Sequence, residues 1–147
     1  MDFVTLEIAL KLREKGFREE CIAYYHTDGE LLYNRDQYRG GNYKSLLRSY
    51  NSLPKNPIGC EQIDAPTISQ VLKWLREEKK IHIEIGFGYY GFCWDLTLNI
   101  KYVKGDNGSE WDLLNCEKYV EIDNQEDHST YEECALCAIE YVIDNLI

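Results

Sequence analysis

Long apolar runs are missing from this sequence. No stretch approaches the roughly 20 residues needed to cross a bilayer as a helix, so no membrane partner is expected. A basic leader is missing too. MDFVTLEIALKLREKGF opens acidic and turns amphipathic, without the positive start and unbroken apolar block of a signal peptide. A cytoplasmic protein is the expectation. The six cysteines (Cys21, Cys60, Cys93, Cys116, Cys134, Cys137) then read as reduced thiols rather than a disulfide framework.

Positive charge is nearly absent from the last third. Residues 105–147 hold Lys118 against 12 acidic residues, whereas residues 1–104 hold 15 Lys and Arg against 14 Asp and Glu. The net charge of −10 therefore belongs almost wholly to the C-terminal third. That distribution excludes phosphate-led binding of long nucleic acid there and suits a basic partner surface. Histidine is scarce as well. His26, His82 and His128 fall in a turn, a strand and a loop, and no neighbouring Ser, Cys or Asp completes a nucleophile triad. No catalytic residue, metal site or cofactor is expected, and the reading is of a protein that is not an enzyme.

What is present is clearest from Ala65 to Tyr102. Thr67 with Gln70 reads as a capping box behind Pro66, and Ile68, Val71, Leu72 and Leu75 form a stripe with Trp74 at its edge. This predicts a helix over 67–78. The period then changes to two, with Ile81, Ile83, Ile85 and Phe87 alternating against His82, Glu84 and Gly86. After a turn at Gly88-Tyr89-Tyr90-Gly91, Trp94, Leu96, Leu98, Ile100 and Tyr102 share a face. The pattern predicts a hairpin over 81–102 with the preceding helix as its cover.

Around this unit, Thr5 caps and Gly16 ends a helix over 5–15. Asp28-Gly29 turns a hairpin over 21–34. A strand falls near 118–123, and Ser129 with Glu132 opens a final helix over 129–146. The fold class predicted is α+β: a single domain, 1–147, of antiparallel hairpins packed with helices. An irregular segment, 35–61, interrupts it, and the acidic third, 105–147, closes it.

APTISQVLKWLREEKKIHIEI and STYEECALCAIEYVIDNLI resemble a family of small uncharacterised proteins frequent in gut Bacteroidales genomes, their mobile elements and phages. The likeness covers about residues 64–85 and 129–147. It implies a phage or mobile-element accessory protein of the counter-defence type, which binds something of its host.

Four features invite a chemical reading. Gly86-Phe87-Gly88-Tyr89-Tyr90-Gly91 has GxGxxG spacing, but it sits in a hairpin with no helix after it to meet a phosphate, so its glycines read as turn glycines. His82 and Glu84, with Asp95, Thr97 and Asn99 across from them, form a polar row; the plain reading is the solvated face of a sheet. Cys134-x-x-Cys137 reads as two small buried thiols on a helix face. The irregular segment carries the fullest constellation. Tyr38, Arg39, Tyr43, Lys44, Arg48 and Tyr50 surround Gly40-Gly41, where guanidinium groups suit phosphates and tyrosines stack on bases. Tyr89 and Tyr90 are added as a rim.

The function expected is non-catalytic sequestration of a nucleotide-like small ligand. The alternative is a protein–protein inhibitor acting on a host protein through the acidic C-terminal surface. The sequence leaves a homo-oligomer open.

Overall fold

The computed structural model describes residues 2–37, 43–45, 47–53, 61–98, 101–104, 111–115, 118–120 and 127–147. Among these residues it shows the α+β class expected, with three helices and small antiparallel sheets. Its contacts gather into two compact units, Met1–Ile68 and Ser69–Ile147.

In the first unit, α1 (Leu6–Glu14) starts where the Thr5 hydroxyl accepts from the Ile8 N–H at 3.3 Å. It ends in a Schellman motif. Gly16, at φ +92°, donates to the Arg13 carbonyl, and Phe17 N–H reaches back to the Leu12 carbonyl at 2.9 Å. The reversal drives Phe17 into the core beside Ile8, Ala9 and Leu12. Leu6 and Leu10, read from the sequence as part of the buried side, are only half-buried.

β1 (Ala23–Tyr25) lies between β2 (Leu31–Tyr33) and β5 (Ile63–Asp64), antiparallel to both. The turn between β1 and β2 is the one expected at Asp28-Gly29, with Gly29 at φ +89°. α1 packs on β5. The Tyr25 hydroxyl donates to the buried Val4 carbonyl at 2.6 Å. β3 (Arg35–Gln37) and β4 (Tyr43–Ser45) pair as a separate ribbon.

The second unit begins with the body of α2 (Ile68–Glu78). Ile68, Val71, Trp74 and Leu75 are buried, and Leu72 is half-buried, so Trp74 lies inside the stripe and Leu72 at its edge. The Lys79 ammonium lies 4.9 Å from the centre of the Trp74 ring.

β6 (Ile81–Phe87) and β7 (Phe92–Leu98) form the hairpin in the register that the alternation requires: Ile83 opposite Leu96, Ile85 opposite Trp94. One expectation changes here. β7 ends at Leu98, and β8 (Lys101–Lys104) pairs instead with β9 (Trp111–Asn115), so Tyr102 belongs to another ribbon. α3 (Tyr131–Asn145) packs on the hairpin. It is longer than α2, and Cys134, Ala135, Ala138, Ile139, Val142 and Ile143 give it a broad buried face. β10 (Lys118–Val120) adds a third strand on the outer side of β7, within the predicted 118–123.

The N-cap of α3 is Thr130, one residue after the Ser129 expected. Its hydroxyl accepts from the Glu133 N–H at 3.1 Å. Among the described residues no helix is long and apolar enough to cross a membrane.

Candidate functional site

The end of the β6–β7 hairpin is built by three glycines and four aromatics in close sequence. Gly88 N–H donates to the Gly91 carbonyl at 2.7 Å, which closes the turn and pushes Tyr89 and Tyr90 outward. Gly91 adopts φ +154°, and a Cβ there would stand 2.6 Å from the His128 carbonyl oxygen. Only glycine lets the chain before α3 come this close. The contact is a two-way bridge: Phe92 N–H donates to the His128 carbonyl, and His128 N–H to the Phe92 carbonyl, both at 2.9 Å. The hairpin end is thereby held to the entry of α3.

Above this clamp stands an aromatic cluster. Phe87 and Phe92 close the ladder as its last cross-strand pair, with ring centres 5.0 Å apart and edge to face. Tyr131, in the first turn of α3, meets Phe92 at 6.3 Å. Tyr89 and Tyr90 meet each other at 5.0 Å and 74°. The cluster is open to solvent: Phe87 is 76%, Tyr90 83% and Tyr89 94% exposed. The alternation had put Phe87 on the buried face with Ile81 and Ile83. It is exposed because the apolar face runs past the start of α3, where nothing described covers it. The GxGxxG spacing lies in this turn, as the sequence indicated, with strand rather than helix on both sides.

The residues predicted for the ligand-binding segment divide differently. Tyr38 and Arg39 lie outside the described residues, as do Gly40 and Gly41. Tyr43 and Lys44 are in β4, paired with Gln37 and Asp36. Arg48 is exposed, and its backbone bridges Cys21 with hydrogen bonds of 2.7 and 3.0 Å. Tyr50 is half-buried and packs on Tyr24 at 5.0 Å, so its ring anchors the segment to β1. The anchor below it is Asp64, fully buried, whose carboxylate accepts from the Tyr50 and Asn51 N–H groups at 2.8 and 2.9 Å. Burial raises its pKa against the lowering effect of those bonds.

The polar row has the register expected. His82 faces Thr97, and Glu84 faces Asp95; Asn99 lies outside the described residues. His82 is half-buried, and desolvation with the nearby Arg76 guanidinium lowers its pKa, so it is held neutral. Among the described residues no group of His, Cys, Asp or Glu is arranged to hold a metal ion.

The thiols also differ from the expected pair. Cys134 is buried and Cys137 exposed, because Cys137 falls outside the stripe that Cys134 shares with Ala135 and Ala138. Burial pushes Cys134 up to about 11 and Cys21 up to about 12, with Asp64 adding to the latter. At pH 8 both thiols therefore stay protonated, and the thiolate is the nucleophile. Iodoacetamide should therefore modify Cys137 in the native protein, and Cys21 and Cys134 only after denaturant is added. Peptide mass mapping reads this directly, and native labelling of Cys134 at the rate of Cys137 would contradict the burial.

Comparison with protein-family models, with curated proteins and with solved structures finds no match to this chain.

Proposed function

We propose that this chain is a non-catalytic binding protein that captures a protein partner on the aromatic end of its second unit. The observation that carries this is the exposure of Phe87, Tyr89 and Tyr90 together, on a turn that is itself clamped in place. Large aromatics are costly to leave in water. A group of them gathered on one hydrogen-bonded turn is the composition of a binding hot spot. The sequence resemblance to phage and mobile-element proteins supports a partner belonging to the host.

The nucleotide reading has less support. Of its residues, Tyr50 is engaged with Tyr24, and Arg48 is the one described side chain left exposed to meet a phosphate. Affinity capture tests the choice. Immobilised wild type and a Y89S/Y90S variant are exposed to the same host extract, and retained proteins are quantified. The variant should lose a partner that the wild type holds, by roughly tenfold or more. Equal retention overturns the assignment of the tip. A thermal shift with a nucleotide, abolished by Arg48→Ala, would restore the small-ligand reading.

A further inference from the structure

From the charge around this tip we infer that the surface docking on it is cationic: a protein face presenting arginine or lysine around an apolar centre. The inference rests on the tip being the binding face. The hairpin, residues 81–98, and the chain from 127 to 147 contain no Lys or Arg at all. Acidic residues ring the aromatics. The Cβ of Asp127 lies 3.4 Å from where a Gly91 side chain would begin, and Glu132 and Glu133 follow Tyr131 in the first turn of α3. Glu84 and Asp95, both exposed, add negative charge about 10 Å down from the tip, on the face of the hairpin opposite Phe87 and Phe92. The lysines nearest in sequence, Lys79 and Lys80, precede β6 and so lie about 20 Å away, at the other end of the strand.

This arrangement selects among occupants. Nucleic acid and anionic lipid would meet an acidic rim. A second copy docking tip to tip would oppose two such rims. A cationic protein face meets both halves of the site: guanidinium or ammonium groups stack on Tyr89 and Tyr90 while their neighbours pair with the carboxylates.

The test uses the full chain and two synthetic peptides, one alternating arginine with leucine and one alternating glutamate with leucine. Backbone amide shifts and a fluorescence titration are recorded at about 50 and about 500 mM NaCl. The arginine peptide should bind, shift the amides of 87–92 and 127–133, and weaken roughly tenfold at high salt. Y89S/Y90S should weaken it by a similar factor with the melting temperature unchanged. D127N/E133Q should weaken binding roughly threefold. Equal binding of the glutamate peptide, indifference to Y89S/Y90S, or self-association through the tip in sedimentation would overturn the inference. If Y89S/Y90S loses a captured protein while the arginine peptide goes unbound, the cationic partner falls and the binding face stands.

Discussion

Gly91→Ala should lower the thermal unfolding midpoint of this protein by roughly 10 °C. Two costs coincide at one residue. At φ +154° an L side chain is strained whatever the space around it, and such backbone strain costs on the order of 1–3 kcal/mol. The new Cβ would also sit 2.6 Å from the His128 carbonyl oxygen. That atom is backbone and accepts from the Phe92 N–H, while the His128 N–H donates to the Phe92 carbonyl, so it cannot swing aside like the end of a lysine. Forcing atoms into a full space costs about 1–3 kcal/mol more. A total near 3 kcal/mol corresponds to about 10 °C for a chain of this size. Gly86→Ala is the control, because a Cβ there meets nothing within 4 Å. Gly91→Ala should also disorder the tip and lose the partner that Tyr89 and Tyr90 hold. A Gly91→Ala protein that melts with the wild type would mean that the clamp between hairpin and α3 does not form.

The hairpin that carries this site was readable because two independent signals agree in it. Period-two alternation gives the strands, and turn glycines give the reversal. Where only one signal was present, the reading drifted. Leu98, Ile100 and Tyr102 keep one alternation, but alternation does not say which neighbour a strand pairs with. The change of partner after β7 was therefore invisible. Ser129 and Thr130 are both good caps, and Glu132 and Glu133 stand three residues after each. The sequence offered two boxes one residue apart, and packing of the Cys134–Ile143 stripe on the sheet fits the second. Tyr89 and Tyr90 were visible at a turn, whereas Phe87, Phe92 and Tyr131 were not. Apolar periodicity marks a face without marking where its cover stops. The same limit explains Tyr50. A tyrosine that stacks on a ligand and one that packs on Tyr24 have the same spacing, and only the partner distinguishes them.

Asp64→Ala should cost about 3 kcal/mol, and the pH dependence of that position should run opposite to a usual carboxylate. Asp64 is fully buried, and its two oxygens take the Tyr50 and Asn51 N–H groups, with the Ser49 hydroxyl at 3.3 Å. Alanine leaves two backbone donors without an acceptor, at about 1–3 kcal/mol each where they stay dry. It also frees Asn51, whose amide group ties this segment to the Phe17 carbonyl at 3.3 Å. The segment carrying Arg48 and Tyr50 should then become sensitive to protease. Burial outweighs the hydrogen bonds and raises the Asp64 pKa above its ordinary value of 3.8. A group raised on folding holds its proton more tightly in the folded state. Its contribution is therefore fully present below 3.8 and is lost as pH rises through the folded value. Asp64→Asn cannot titrate, and the other carboxylates cancel between the two proteins. Urea midpoints at pH 7 and pH 4.5 should show the wild type's advantage over Asp64→Asn widening in acid. If the gap narrows instead, the carboxylate is held charged by Tyr50 and Asn51, and its burial is the smaller effect.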